Sequence, residues 1–162
     1  MTYKEFISQF EQHIRSLTYN NQFKLAFSVC KKLYPDYKDF YLQNNWGDPD
    51  GLVDAINYCE TFYKSNDNPG LLKEYMVKVF EKCPHSDDFA NASYAINASG
   101  AVHGTLEFLL TKNPKHIYEI GTYLTDTIDF KIQDDNEEIT EDEIDAHPLM
   151  IETRNYLLSG NY

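Results

Sequence analysis

Three times in this chain an Asp or Asn is followed at once by Pro and then by apolar residues at helical spacing: Asp48-Pro49, Asn68-Pro69 and Asn113-Pro114. A Pro at the first helical position lacks only an N–H that would be orphaned anyway, and the side chain before it can accept from the free N–H groups of the first turn. Each pair therefore predicts a helix start. The runs that follow agree: Leu52, Val53, Ile56, Cys59, Phe62 and Tyr63; then Leu72, Tyr75, Met76, Val79, Phe80 and Cys83; then Ile117, Ile120, Leu124, Ile128 and Ile132. All recur with the 3.6-residue period, and period-2 alternation is nearly absent.

The rest of the chain reads the same way. Thr2 and Glu5 have the spacing of a capping box, and Phe6, Phe10, Ile14 and Leu17 share one helical face. Phe23, Ala26, Val29, Cys30 and Leu33 predict a second helix stopped by Pro35, and Tyr37, Phe40 and Tyr41 a short third one running to about Asn45. Ser86, Asp87 and Asp88 can cap a long helix whose stripe is Ala92, Ile96, Ser99, Val102, Leu106 and Leu109. Gly100 and Gly104 stack four apart on it. Each glycine costs a helix interior about 1 kcal/mol against Ala, which close approach of a neighbouring helix would offset. Thr140 and Glu143 form a second capping box for a short helix ending before Pro148, and Met150, Ile151, Arg154, Leu157 and Leu158 belong to a last helix. The expected fold is all-α, a single domain over residues 1–162, with seven or eight helices packed around a central small-residue helix.

Catalytic chemistry finds little support. No metalloprotease, nucleophile-elbow or phosphate-loop motif occurs. His103 and Glu107 lie four apart on one helix, but the facing Glu-x-x-His motifs of a di-iron bundle are missing; His116-x-x-Glu119 runs in the reverse order. Cys83 and His85 are too close in sequence for a nucleophile–base pair, and Asp87 and Asp88 diverge on a helix. The three cysteines, Cys30, Cys59 and Cys83, are widely spaced and suit buried free thiols. The expectation is a protein that is not an enzyme and has no metal and no cofactor. The charged first residues predict no signal peptide, and no apolar run is long enough for a membrane span, so a cytoplasmic location is expected.

Charge is the strongest global signal. There are 26 acidic against 14 basic residues, a formal net charge of -12. Such a surface repels nucleic-acid phosphate and anionic membranes, attracts a basic partner, and also favours solubility. The acidity is concentrated: Asp134 to Asp145 holds eight acids in twelve residues. Asp134, Asp135, Glu137, Glu138, Glu141, Asp142 and Glu143 form the first candidate partner-binding face. The glycine-centred spacing of an EF-hand calcium loop is absent from it. Trp46, Asp48 and Asp50 form a second candidate, where the lone Trp sits beside a capped turn.

The ordered segments LAFSVCKKLYPDY, WGD, CPHSDDFANASYAINASGAV and ITEDEIDAHPLM resemble the bacterial YjaG-like family, a domain of unknown function. The resemblance spans about Leu25 to Leu158 and implies an all-helical fold with no catalytic residue to carry over. The family's proteins run on into a further helical tail, whereas this chain stops at Tyr162. A small, acidic, shortened relative is similar to the immunity proteins of bacterial toxin systems. The resemblance and the charge together lead to one expectation: an immunity protein that binds and neutralises a cognate toxin domain, such as a basic nuclease in a contact-dependent or polymorphic toxin system. The alternative is a YjaG-like cytosolic protein with a housekeeping or signalling-associated role and no toxin partner.

Overall fold

Thr2 opens the first helix as its spacing predicts: its hydroxyl accepts from the Glu5 amide, and the Glu5 carboxylate accepts from the Thr2 amide. The computed structural model describes residues 1–162 and contains eight helices and no strand. These are α1 (Tyr3–Ser16), α2 (Tyr19–Asn44), α3 (Pro49–Ser65), α4 (Pro69–Glu81), α5 (Ser93–Thr111), α6 (Lys115–Asp135), α7 (Glu141–Ala146) and α8 (Pro148–Leu158). Asp48 and Asn68 cap α3 and α4, each with Pro at the first helical position. The third pair is shifted by one residue: the Asn113 side chain accepts from the Lys115 amide, and Pro114 precedes the first residue of α6.

Helix α5 is the axis of the bundle. α2 and α6 pack along it, with α3 and α4 completing the ring. Residues are buried all round it, from Ala95, Ala98 and Ala101 to Val102, Leu106 and Phe108. Its small residues set how closely α6 approaches. A Cβ added at Gly100 would lie 2.7 Å from Cζ of Tyr123, and one at Gly104 would lie 3.2 Å from Cγ1 of Ile120. The two glycines are the price of that contact.

Two expectations are corrected. Pro35 does not stop α2, which runs unbroken through it and absorbs the expected third helix. A Pro inside a helix costs about 3 kcal/mol or more. Here Leu33, Tyr37 and Phe40 on either side of it are all buried in the core, and each such side chain stabilises by about 1.5–3 kcal/mol. Tertiary burial therefore outweighs the local break. Ser86, Asp87 and Asp88 do not cap α5 either. They form a turn that precedes it, the helix begins at Ser93, and no side chain caps its first amides. Cys30 and Cys59 are buried free thiols, while Cys83 is only half-buried. No helix is long and apolar enough to cross a membrane.

Candidate functional site

The acidic run starts where α6 leaves the core. Ile132 is the last buried residue of that helix; Asp134 and Asp135 form its exposed end. The chain then crosses to Thr140, whose hydroxyl and amide both engage Glu143 and start α7. All seven carboxylates of the first candidate face are exposed. No Lys, Arg or His lies within ion-pair distance of any of them. Two have internal tasks. Asp134 accepts the Tyr94 hydroxyl, and Glu143 caps α7, with the Thr140 hydrogen bonds holding its carboxyl below the usual range. The side chains of Asp135, Glu137, Glu138, Glu141 and Asp142 have no partner within the chain.

Part of this acidity opposes the fold. The C-terminal end of a helix carries partial negative charge, and a carboxylate in its last turn is disfavoured. α6 ends in two of them and has no basic residue there. Asp135→Asn should raise stability by about 0.3–1 kcal/mol at low ionic strength. Urea unfolding at low and high salt checks this, and the gain should shrink as salt rises.

Behind the run lies a cavity of about 310 Å³ between α6, α7, α8 and the start of α1, lined in part by Tyr3, Asp126, Asp129, Glu141, Asp145 and Arg154. Glu141 belongs to both face and cavity. Arg154 is 2% exposed and comes from α8. Its guanidinium donates to Asp145 at 2.7 Å and to the Met1 carbonyl at 2.8 Å, and stands 5.4 Å above the Phe6 ring. Burial, helped by the neighbouring charge of Asp129, pushes the Asp126 carboxyl above the usual range. Sequence reading did not assign Asp126, Asp129 or Arg154 to a site, because only the approach of α8 to α6 brings them together.

The second candidate divides. Trp46 is half-buried and packs against Phe40 and Phe89, with ring centroids 6.3 and 5.5 Å away, so its ring belongs to the core margin. Asp48 and Asp50 are exposed and line a cleft of about 360 Å³ that Trp46 does not reach. Lys78 and Lys82 line the same cleft and offset its charge. The Asp48 carboxylate is also engaged, accepting from the Gly51 amide at 2.9 Å.

His103 and His116 form a separate cluster with Glu107 and Glu119. Glu107 Oε2 stands 3.5 Å from His103 Nδ1 and 3.6 Å from His116 Nδ1, and Glu119 stands 3.6 Å from the same His116 nitrogen. No group of three or more His, Cys, Asp or Glu is arranged to hold a metal ion. Burial pushes the Cys83 thiol up and away from the thiolate a nucleophile needs.

A family model described as a protein of unknown function (DUF416) matches residues 9–157. The chain belongs to the DUF416 family. A crystal structure of a DUF416 family protein from Shewanella baltica OS155 superposes with a TM-score of 0.76 at 22% identity, over 91% of this chain and 81% of that one. At that identity the likeness shows the shared fold of two DUF416 proteins. No curated protein matches the sequence.

Proposed function

We propose that this DUF416 chain is a non-catalytic binding protein, and that its acidic face captures a basic polypeptide. The observation that carries this reading is the set of five exposed carboxylates that no group of the chain neutralises. The more specific form is an immunity protein that binds and neutralises a cognate toxin domain. It draws on the YjaG-like resemblance and on charge, and the step from family to that role is analogy. A nuclease toxin must carry cations to hold phosphate, and an inhibitor presenting carboxylates meets those same cations. Complementary charge steers encounter and raises association rates by about 10–10³-fold at low salt.

Two experiments address the two levels. Replacing the seven carboxylates by Asn or Gln should slow association with the partner by about tenfold or more at low salt and leave dissociation nearly unchanged. Stopped-flow or surface kinetics over a salt series measure it, and an unchanged association rate removes the face from the account. For the immunity form, whatever domain is encoded directly upstream is expressed with and without this chain. Growth restored only by co-expression supports it. Equal toxicity in both strains, or no toxin gene beside it, leaves the alternative of a family-wide cytosolic role.

A further inference from the structure

Helix α2 carries a second stripe besides the one buried in the core. Lys24, Phe27, Lys31, Tyr34, Lys38 and Tyr41 follow one another at alternating steps of three and four, the spacing of a two-helix seam. The three lysines are exposed and the three rings half-buried. α3 flanks the stripe on one side, through Phe23 stacked on Tyr63 with centroids 4.0 Å apart. α8 flanks it on the other, through the Tyr156 hydroxyl bonded to that of Ser28 at 2.6 Å. Leu42, beside the last ring, is 68% exposed. No carboxylate lies within ion-pair distance of Lys24, Lys31 or Lys38. The sequence itself withholds one: the positions three and four residues from each lysine hold the rings or Asn20, Asn21, Ser28, Pro35 and Leu42, never an acid. In a chain of formal net charge -12, α2 carries four lysines against Asp36 and Asp39, and Asp36 is taken by Lys131 at 2.8 Å.

We propose that this stripe docks one amphipathic helix of a protein partner, a helix that carries carboxylates seven residues apart with apolar side chains between them. The interface is separate from the acidic face and does not rest on it. Charge complementarity selects the occupant. Seven residues of helix rise about 10.5 Å, so acids at that interval on the partner match the lysines one for one. The apolar positions between them meet Phe27, Tyr34 and Tyr41, and the lysine stems cover apolar surface while their ammonium groups reach the carboxylates. A second copy of this chain fits less well. Parallel pairing sets lysine on lysine in every layer. Antiparallel pairing sets lysines on rings, yet supplies them no carboxylate while bringing two strongly acidic chains together. Nucleic acid carries a charge about every 1.7 Å of duplex, far denser than three lysines match, and the rest of the surface repels it.

The test titrates the full chain at low salt with a capped peptide of three heptads, Glu at each first position, Leu at each fourth, and Ala or Gln elsewhere. Amide chemical shifts report binding. The same peptide with Gln for Glu, and the Lys24→Gln/Lys31→Gln/Lys38→Gln variant, serve as controls. The three lysines are exposed and make no ion pair, so the variant should fold, and its thermal midpoint verifies that. The expected result is saturable shifts along the outer side of α2, with binding at least about tenfold weaker for the Gln peptide and for the variant. Replacing the acidic-face carboxylates should leave binding of the Glu peptide as tight or tighter, which separates this interface from that one. The proposal is wrong if no saturable shift appears, if the two peptides bind alike, or if the shifts fall away from α2. It is also wrong if oligothymidylate binds the same lysines more tightly than the Glu peptide does. Sedimentation showing a dimer of wild type that the lysine variant loses would give the stripe to a second copy and overturn it too.

Discussion

Arg154→Met is expected to cost about 3–5 kcal/mol, the range for removing one partner of a buried ion pair. For a chain of this length that lowers the thermal midpoint by roughly 10 °C. Arg154 occupies an apolar stripe of α8 between Met150 and Leu157, both buried. Methionine keeps most of the apolar stem. What it cannot do is meet Asp145, which is only 18% exposed and would be left as an uncompensated charge. It also abandons the Met1 carbonyl and so loosens the start of α1 from α8. The double variant Arg154→Met/Asp145→Leu should recover much of the loss, because removing both charges also removes the desolvation penalty. The Tyr3 amide would still lose its acceptor. Calorimetry of the two singles and the double measures the coupling. An Arg154→Met variant as stable as wild type would mean that Arg154 does not tie α8 to α7 and to the start of the chain.

Gly121→Ala should be the most damaging one-carbon addition. Alanine ordinarily gains about 1 kcal/mol over glycine inside a helix. At Gly121 the new Cβ would overlap the ring of Phe10, which is fully buried and stacked on Phe6 with centroids 5.3 Å apart. The ring has no open side to move into, and overpacking of this kind costs about 1–3 kcal/mol. Phe10→Leu costs stability by itself, but combined with Gly121→Ala it should cost less than the sum of the two singles. Gly70→Ala on α4 is the control. There the added Cβ meets only the Asn68 side chain, at 3.5 Å, so the change should be neutral or stabilising. Additive losses for Gly121→Ala and Phe10→Leu would show that the two positions do not press on each other.

The features legible in the sequence are those decided within a few residues. The capping side chains of Thr2, Asp48, Asn68 and Thr140 each accept from a backbone amide three positions on, and at Thr2 and Thr140 a glutamate there answers in return. Gly100 and Gly104 were also legible, because two glycines four apart in a helical run require a close neighbour. Pro35 misleads for the opposite reason. Its local signal is correct, but core burial on both sides overrides it. Gly121 stands alone in α6 and carries no pattern announcing that a ring from α1 will sit on it. Ser86, Asp87 and Asp88 have the composition of a cap, yet a turn intervenes before α5. The acidic face was legible as a run of charge along the chain. The cavity behind it was not, because Asp126 and Arg154 lie 28 positions apart and meet only once α8 docks beside α6.

The account as a whole claims that the acidic surface exists to hold a basic polypeptide. The most direct test uses two baits in parallel at low salt: the wild-type chain and the variant carrying Asn or Gln at Asp134, Asp135, Glu137, Glu138, Glu141, Asp142 and Glu143. Cells that express the protein natively supply the lysate, and mass spectrometry quantifies what each bait retains. The account predicts one basic polypeptide held stoichiometrically by wild type, released by salt, and retained much less by the variant. A partner held equally by both baits, or no stoichiometric basic partner on either, would contradict it.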